Sequence, residues 1–188
     1  FPEMKFGNMP NDGGGLIFTE DEYEKLISQF PKAKDFMRLL LGSSEFIRGN
    51  KRYCLWIEYD QLSEAIRIPE IVKRIEKTET HRLNSKDKGT NRLAERSHQF
   101  RDRNSAKDNQ LIIPSVSSES RKYIPCGYLE STTVISNSAQ VIYDAKPYMF
   151  ALINSRMHMV WVRNVGGKLK TDYRYSKNIC YNTFPFPE

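Results

Sequence analysis

The chain has 188 residues, of which 39% are hydrophobic and 12% aromatic, and a formal net charge of +6 at pH 7. This composition excludes a wholly disordered polymer, and the length fits one domain with a buried core. No apolar run approaches the roughly 20 residues of a membrane-spanning helix, and residues 1–10 lack the basic and apolar regions of a secretory signal peptide.

The two ends of the chain resemble each other, and neither is typical of a natural terminus. The chain opens on Phe1-Pro2-Glu3 without a Met and closes on Phe186-Pro187-Glu188. We interpret it as a segment of a longer polypeptide; a complete small protein with a processed start is the alternative. Residues 7–15 are rich in Gly, Asn and Pro, which is typical of a loop. We therefore predict a linker over residues 1–15 and a folded domain over residues 16–188.

The first half of the folded domain is predicted to be mainly helical. Thr19 followed by Glu22 is a capping-box pattern, so a helix should begin there and end before Pro31. The further elements predicted in this half are a helix over residues 32–41, a buried strand over residues 51–58 and a helix over residues 69–80.

The positive charge of the chain is concentrated in one segment. Residues 73–107 contain 11 Lys or Arg and 5 Asp or Glu, so this segment alone carries a net charge of +6 and the remainder is neutral. A neutral body with one basic segment suits a polyanionic partner, although a solvated charged loop has the same composition. Because residues 81–110 have few large apolar side chains, we predict a long loop or loosely packed helix there, mobile without a ligand.

The second half changes to short β-like runs. These runs are residues 111–116, 123–125, 131–136 and 140–143, and together they predict a small sheet. A helix is predicted over residues 148–165, ended by Gly166-Gly167, and a last strand over residues 168–176. The class is therefore α+β: a helical N-terminal part, and a small mixed or antiparallel sheet with a packed long helix.

Residues 168–176 alternate in chemistry as a strand with two different faces does. In an extended strand, one face carries Lys168, Lys170, Asp172, Arg174 and Ser176. Such a row is unsuitable for a core but suits base edges, because Lys and Arg donate to guanine O6 and N7 and Asp accepts from cytosine N4. Lys170 and Asp172 therefore fit the two halves of one G·C pair. An exposed strand with neutralising ion pairs is the alternative.

Two other clusters have the chemistry of phosphate contacts. Ser117, Ser118 and Arg121 lie between short predicted strands, and hydroxyls, backbone amides and Arg commonly hold phosphates. Arg156 and Arg163 are seven residues apart, so they share a face of the predicted helix. That face is either a phosphate grip or a solvated side, and the neighbouring His158 belongs either to it or to the core.

Motifs for catalysis are scarce. The chain has no Pro-Pro pair, as the Asn/Asp-Pro-Pro-Tyr/Phe loop of an adenine methyltransferase requires, and no strand-then-glycine nucleotide fingerprint. Asp144-Ala145-Lys146 matches only the short half of a metal-dependent nuclease motif. The three scattered His and the cysteines Cys54, Cys126 and Cys180 have neither metal-ligand nor disulfide spacing, so we predict no metal and a reducing cytoplasm.

Long and unusual strings carry a family resemblance over nearly the whole chain. They are, in order, MPNDGG (9–14), LIF (16–18), KRYCLW (51–56), VSSESR (116–121), YIP (123–125), NSRMHMVWVR (154–163), GGKL (166–169), YRYS (173–176) and YNTFP (181–185). With these strings the chain closely resembles the target-recognition domain of MmeI-like single-chain restriction–modification enzymes.

The resemblance implies a parent polypeptide with a nuclease domain and a methyltransferase domain that moves a methyl group from S-adenosylmethionine to adenine N6. Residues 1–15 would then link this domain to the methyltransferase region, and double-stranded DNA would be its partner. In the family, variable positions in the last strand set the bases that are read. Carried over by motif, the base-reading residues are Lys170, Asp172 and Arg174, with Ser138 as a neighbour.

The remaining predicted contacts are to the DNA backbone. They are assigned to Ser117, Ser118, Arg121, Arg156, Arg163 and Lys168. We expect no catalytic residue, cofactor or metal in this fragment and no membrane contact. Two other functions stay open: a small metal-dependent nuclease that uses Asp144, and a protein docking module that uses the apolar helix over residues 148–165.

Overall fold

The computed structural model of the chain describes residues 2–186. They form two compact units, each assembled from separate stretches of sequence. Within the described residues, we call 2–7, Leu41–Asn50 and 105–186 the sheet unit, and Asn8–Leu40 and Lys51–Asn104 the helical unit. The predicted joints at Phe1 and at residues 187–188 lie outside the described residues.

The elements confirm the α+β class. The strands are β1 (Lys5–Phe6), β2 (Ile17–Thr19), β3 (Met37–Leu41), β4 (Arg52–Leu55), β5 (Asn109–Pro114), β6 (Val116–Ser117), β7 (Gly127–Glu130), β8 (Val134–Ile135), β9 (Ala139–Tyr143), β10 (Gly167–Leu169) and β11 (Asp172–Arg174). The α-helices are α1 (Glu20–Gln29), α2 (Ser43–Arg48), α3 (Leu62–Ala65), α4 (Pro69–Leu83), α5 (Lys88–Arg92), α6 (Pro147–Ile153) and α7 (Arg156–Val165). Among the described residues, no helix is both long and apolar enough to cross a membrane.

Helix α1 of the helical unit begins as the sequence predicts. The Thr19 hydroxyl accepts from the Glu22 amide at 3.2 Å, and the Glu22 carboxylate accepts from the Thr19 amide at 2.9 Å. The helix predicted over residues 32–41 is wrong. A 3-10 turn (Pro31–Phe36) leads instead into β3, which pairs antiparallel with the buried strand β4. Sheet pairing thus outweighs the helical preference of the Met, Arg and Leu residues in β3.

Arg82 is the largest fully buried side chain in the described part of the chain, although the sequence counts it among the basic residues. Its guanidinium donates five hydrogen bonds of 2.7 to 3.0 Å, all to backbone carbonyls. The acceptors are the carbonyl oxygens of Pro10, Asn11, Leu93, Arg96 and Gln99. Burial lowers the pKa of Arg82 to about 10, so it remains charged at neutral pH. Arg82 therefore joins three stretches of the helical unit.

Other basic residues of this segment also have structural partners. Arg103 pairs with Glu58 at 2.6 Å and lies 4.2 Å from the centroid of the buried Trp56 ring. Residues 88–92 and 93–96 are helical, and His98 and Phe100 are buried. The segment 81–110 is therefore packed through hydrogen bonds and ion pairs, where the sequence predicts loose packing because apolar side chains are few. Its mobility without a ligand stays a prediction.

The sheet unit contains an antiparallel sheet in the order β1-β9-β5-β7. Strand β1 comes from the predicted linker: Lys5 pairs with Val141, and Met4 is buried in the core. Residues 2–7 are therefore part of the fold, because the Met4 side chain packs in the core and β1 pairs with β9. Their connection to a preceding domain stays a prediction. The core on one face of the sheet includes Leu111, Ile113, Ile142, Met149, Ile153, Met159 and Val162.

The long helix predicted over residues 148–165 is two helices. Helix α6 ends at Ile153, and α7 begins after Ser155, whose hydroxyl accepts from the His158 amide at 3.0 Å. The N-cap hydrogen bond explains the break, since Ser at this position ends one helix and starts the next. After the break, Met159 and Val162 of α7 are buried, whereas Val160 is 55% exposed.

His158 is a core histidine and not part of a phosphate grip. It is fully buried, and its Nε2 lies 2.9 Å from the hydroxyl of Tyr175. The Phe184 ring packs edge-on against the imidazole at a centroid distance of 4.6 Å. Burial in this apolar pocket lowers the pKa of His158 to about 4.

Acidification is therefore expected to destabilise the chain through His158. The pKa of a histidine is near 6.5 in an unfolded chain. Between pH 6.5 and 4 the unfolded state therefore binds the proton more strongly than the folded state, and the stability of the fold decreases as the pH is lowered. The free energy of unfolding should lose roughly 1–2 kcal/mol from this group between pH 7 and 5. His158→Gln should lose less over the same interval, as measured by urea unfolding. The exposed His81→Gln is the control, and equal losses in wild type and His158→Gln would contradict the expectation.

Candidate nucleic-acid interface

The last predicted strand, residues 168–176, is a hairpin. Strands β10 and β11 pair antiparallel, with Leu169 opposite Asp172, and Lys170 and Thr171 form the two-residue loop. Lys170 has a φ of 57°, as the first loop residue of such a tight turn often requires. The prediction of one continuous strand is wrong because neither loop residue is a typical turn former, so the alternating pattern conceals the turn.

The turn changes which side chains share a face. Lys168 lies opposite Tyr173, and its ammonium is 5.7 Å from the centroid of that ring. Asp172 and Arg174 are two apart in β11, so they lie together on the other face. The predicted row of five polar residues therefore does not form: Asp172 and Arg174 remain side by side, and Lys170 is exposed at the hairpin tip.

Strand β11 also pairs with β6, and this pairing positions part of the predicted phosphate cluster. Tyr173 lies opposite Ser117 and Arg174 opposite Val116. The Ser117 side chain is buried, which makes it unsuitable for a phosphate contact. Ser118 and Arg121 follow in a turn in which the Arg121 amide donates to the Ser118 carbonyl at 3.1 Å. Ser118 and Arg121 therefore stay candidates for phosphate contacts, whereas the buried Ser117 does not.

Asp172 lies in a groove of the sheet unit. One wall comes from β6, the following turn and β11, and the other from helix α2. We call this feature the Asp172 groove; it is lined by Ser43, Ser44, Ile47, Arg48, Val116, Ser118, Arg121 and Asp172. The groove combines one carboxylate, two guanidinium groups, hydroxyls and two apolar side chains. This set provides acceptors, donors and apolar contacts of the kinds that base edges require.

Ser138 lies against the α2 wall of the groove. Its hydroxyl accepts from the Ser43 amide at 3.2 Å, and its carbonyl accepts from the Ser43 hydroxyl. The Ser43 hydroxyl in turn accepts from the Ser115 amide at 3.0 Å. A Cβ at Gly42 would lie 2.2 Å from the Ser138 Oγ, so any larger residue here would displace the Ser138 hydroxyl. The predicted neighbour Ser138 is thus connected to the groove through Ser43.

The two arginines predicted from helix α7 meet at a second site. Arg156 and Arg163 line a shallow cleft with Lys122 and Tyr123, all within the sheet unit. Three cationic side chains and a tyrosine hydroxyl are suited to a phosphate group. Sequence reasoning missed Lys122 and Tyr123. The adjacency of Lys122 to Arg121 in a turn was the available signal.

Asp144, the candidate nuclease residue, stabilises a turn. It has a φ of 51°, and its carboxylate accepts from the amides of Lys107 and Asp108, both at 2.9 Å. The hydrogen bond from the Asp108 amide is the main cause of the lowered pKa of Asp144. Among residues 2–186, no group of three or more His, Cys, Asp or Glu side chains is arranged to hold a metal ion.

Helix α2 was not predicted from the sequence. The signals were present: Glu45 follows Gly42 at the capping-box spacing, and Gly49 ends the helix with a φ of 76°. Arg48 lies in its last turn, is exposed and lines the Asp172 groove. Sequence reasoning thus missed all four groove residues of this helix, Ser43, Ser44, Ile47 and Arg48.

Known proteins match this chain over its whole length. The family model described as "MmeI, target recognition domain" matches residues 1–188. The DNA methyltransferase A of Bacillus subtilis (strain 168) is 49% identical over 187 residues, which cover 100% of this chain and 21% of that protein. A solved structure of the type IIL restriction–modification enzyme MmeI in complex with DNA matches with a TM-score of 0.93 and 37% identity. That match covers 100% of this chain and 25% of the solved one, so this chain spans only about a quarter or less of each relative's length.

Proposed function

Because this chain belongs to the family of MmeI target recognition domains, we propose that it reads double-stranded DNA sequence for a restriction–modification enzyme. The observation that carries the proposal is the Asp172 groove, where a carboxylate for base reading lies with Ser118 and Arg121. A carboxylate accepts from cytosine N4, and a hydroxyl and a guanidinium bind phosphate.

In this proposal Asp172 is the principal base reader. It accepts from a cytosine, Arg174 lies beside it on the same face, and Lys170 reaches the paired guanine or its neighbour from the hairpin tip. Arg121, Arg156 and Arg163 contact phosphates, as does the exposed Lys168. Phosphate contacts supply affinity that falls with salt, and base contacts supply discrimination of roughly 1–3 kcal/mol each.

The chemistry would belong to other domains of the parent polypeptide. We propose that one of them transfers a methyl group from S-adenosylmethionine to adenine N6 after flipping the base, and that another cleaves DNA. The domain described here would be non-catalytic and would bind no cofactor. The turn-stabilising role of Asp144 supports this view, since its Oδ1 accepts hydrogen bonds from two backbone amides. We place the parent enzyme in the cytoplasm, where its DNA is.

Contact with the other domains is a second role that one observation favours. Met157 and Val160 are 69% and 55% exposed on helix α7. Exposed apolar side chains on one helix suit a protein surface. In this role the chain docks onto its parent as well as onto DNA.

The proposal is tested by fluorescence anisotropy of the chain on a randomised DNA duplex, with tRNA and heparin as competitors, across a salt series. We expect duplex binding whose logarithm falls linearly with the logarithm of the salt concentration. Arg163→Ala should reduce the magnitude of that slope by about one phosphate contact and weaken all sequences equally. Absence of duplex preference at every salt concentration, or metal-dependent cleavage by this chain alone, would contradict the proposal.

A further inference from the structure

Helix α2 supplies one wall of the Asp172 groove, and Arg48 is its charged side chain there. We propose that Arg48 is a further specificity-determining residue, which donates to the guanine of a base pair adjacent to the one read by Asp172. This inference rests on the proposed function and adds a residue and a base to it.

The position of α2 is fixed on the groove by hydrogen bonds at its start. The amide and hydroxyl of Ser43 both bond to Ser138, and the Ser43 hydroxyl also accepts from the Ser115 amide. The Phe46 amide donates to the Gly42 carbonyl at 3.0 Å as the first turn closes. The backbone that carries Arg48 is thereby held in a fixed place, and base reading requires such a fixed starting point for the side chain.

The chemistry of the groove favours a base over a phosphate as the partner of Arg48. Asp172 lines the same groove, and its carboxylate would repel a phosphate while accepting from a base amine. Ile47 and Val116 add apolar surface between the charged groups, and apolar surface suits the carbon edges of bases and not phosphate oxygens. Arginine is the side chain that most often reads guanine, because its planar fork donates to O6 and N7 together.

The net charge of the groove is compatible with binding both to bases and to phosphates. Arg48 and Arg121 exceed Asp172 by one positive charge, so the groove attracts DNA although it contains a carboxylate. Arg121 lies in a turn after β6, in the cluster predicted to hold phosphates. Arg48 comes from α2 and not from this turn, so the two guanidinium groups can have different partners.

The test is selection of binding sites from a randomised duplex pool by the full polypeptide that carries this chain, with three variants. Arg48→Ala should relax the preference for guanine at one position by about 5- to 150-fold and leave other positions unchanged. Arg48→Lys keeps the charge but loses the planar fork, so it should relax the same position while retaining affinity for the mixed pool. Arg67→Ala is the control, since Arg67 is also exposed but lies outside both the Asp172 groove and the basic segment 73–107, and it should leave the selected sequence unchanged.

The outcomes separate this inference from the proposed function. If wild type selects a defined sequence and both Arg48 variants select the same one, Arg48 reads no base and the inference fails alone. Uniform weakening of all sequences by Arg48→Ala, reversed in Arg48→Lys, would show a phosphate contact and would also overturn it. If wild type selects no sequence at all, the proposed function fails as well. Arg48 is exposed, so thermal melting of the variants should match that of wild type.

Discussion

Replacing Arg82 by methionine is expected to lower the free energy of unfolding of the chain by about 4 kcal/mol or more. Methionine fills much of the same volume but leaves five carbonyl oxygens, one buried and four partly buried, without the donor they have in the fold. Each unsatisfied buried polar group costs roughly 1–3 kcal/mol, and relaxation of the backbone recovers only part of the sum. Urea unfolding at pH 7 measures the loss.

Two further variants make the result specific. Arg82→Lys keeps the positive charge but replaces the planar guanidinium donors by one ammonium. Its free energy of unfolding should therefore lie between those of Arg82→Met and wild type. Arg92→Met changes an exposed residue of the same basic segment and should stay within about 0.5 kcal/mol of wild type. If Arg82→Met lost DNA affinity with unchanged stability, Arg82 would be a DNA contact and our structural assignment would be wrong.

Asp172→Ala is expected to remove discrimination at one base pair, worth roughly 1–3 kcal/mol, or about 5- to 150-fold in relative affinity. Total affinity for a mixed pool should hold or rise, since a negative charge is removed from a groove that we propose binds DNA. Combining Asp172→Arg with Lys170→Glu should change the preferred base pair more than it weakens overall binding. Competition between duplexes that differ at one position measures both quantities.

Because of the hairpin, we expect the substitutions at Asp172 and Lys170 to have unequal effects on base discrimination. Asp172 lines the groove, whereas Lys170 lies at the exposed tip, so Lys170→Glu alone should have the smaller effect on discrimination. Arg156→Ala is the comparison for a proposed phosphate contact. It should weaken the affinity for every duplex by the same factor, whatever its sequence. Uniform loss across all sequences for Asp172→Ala would count against direct reading by this residue.

Local signals in the sequence predicted the elements that depend on local chemistry. Thr19 and Glu22 set the start of α1, and Pro69 sets the start of α4. The failures lie where partners distant in sequence decide. Residues 32–41 end in a strand because β4 offers a pairing edge, and the hairpin at Lys170 is held by Ser117 of β6 opposite Tyr173. The sequence of residues 168–176 alone contains no signal for a pairing strand that lies about 50 residues earlier.

The candidate site divides in the same way. Strand alternation pointed to Asp172, a cluster of Ser and Arg to Arg121, and helical spacing to Arg156 and Arg163. The structure places all four on a groove or cleft. Whether they touch DNA stays a prediction. Charge counting could not distinguish Arg82, which is buried among carbonyls, from a residue that faces a polyanion, because the two differ only in surroundings. Arg48 was missed because its helix is six residues long and lies outside the basic segment.

Because α2 is part of the Asp172 groove, the groove forms later during translation than the helical unit. Residues 41–50 are synthesised in the middle of the helical unit, but the groups that brace them, Ser115 and Ser138, emerge after that unit ends at Asn104. At roughly 5–20 residues per second, Asp172 follows Arg48 by several seconds to tens of seconds. The nascent helical unit can close around Arg82 during that delay, whereas the Asp172 groove is assembled only near the end of translation.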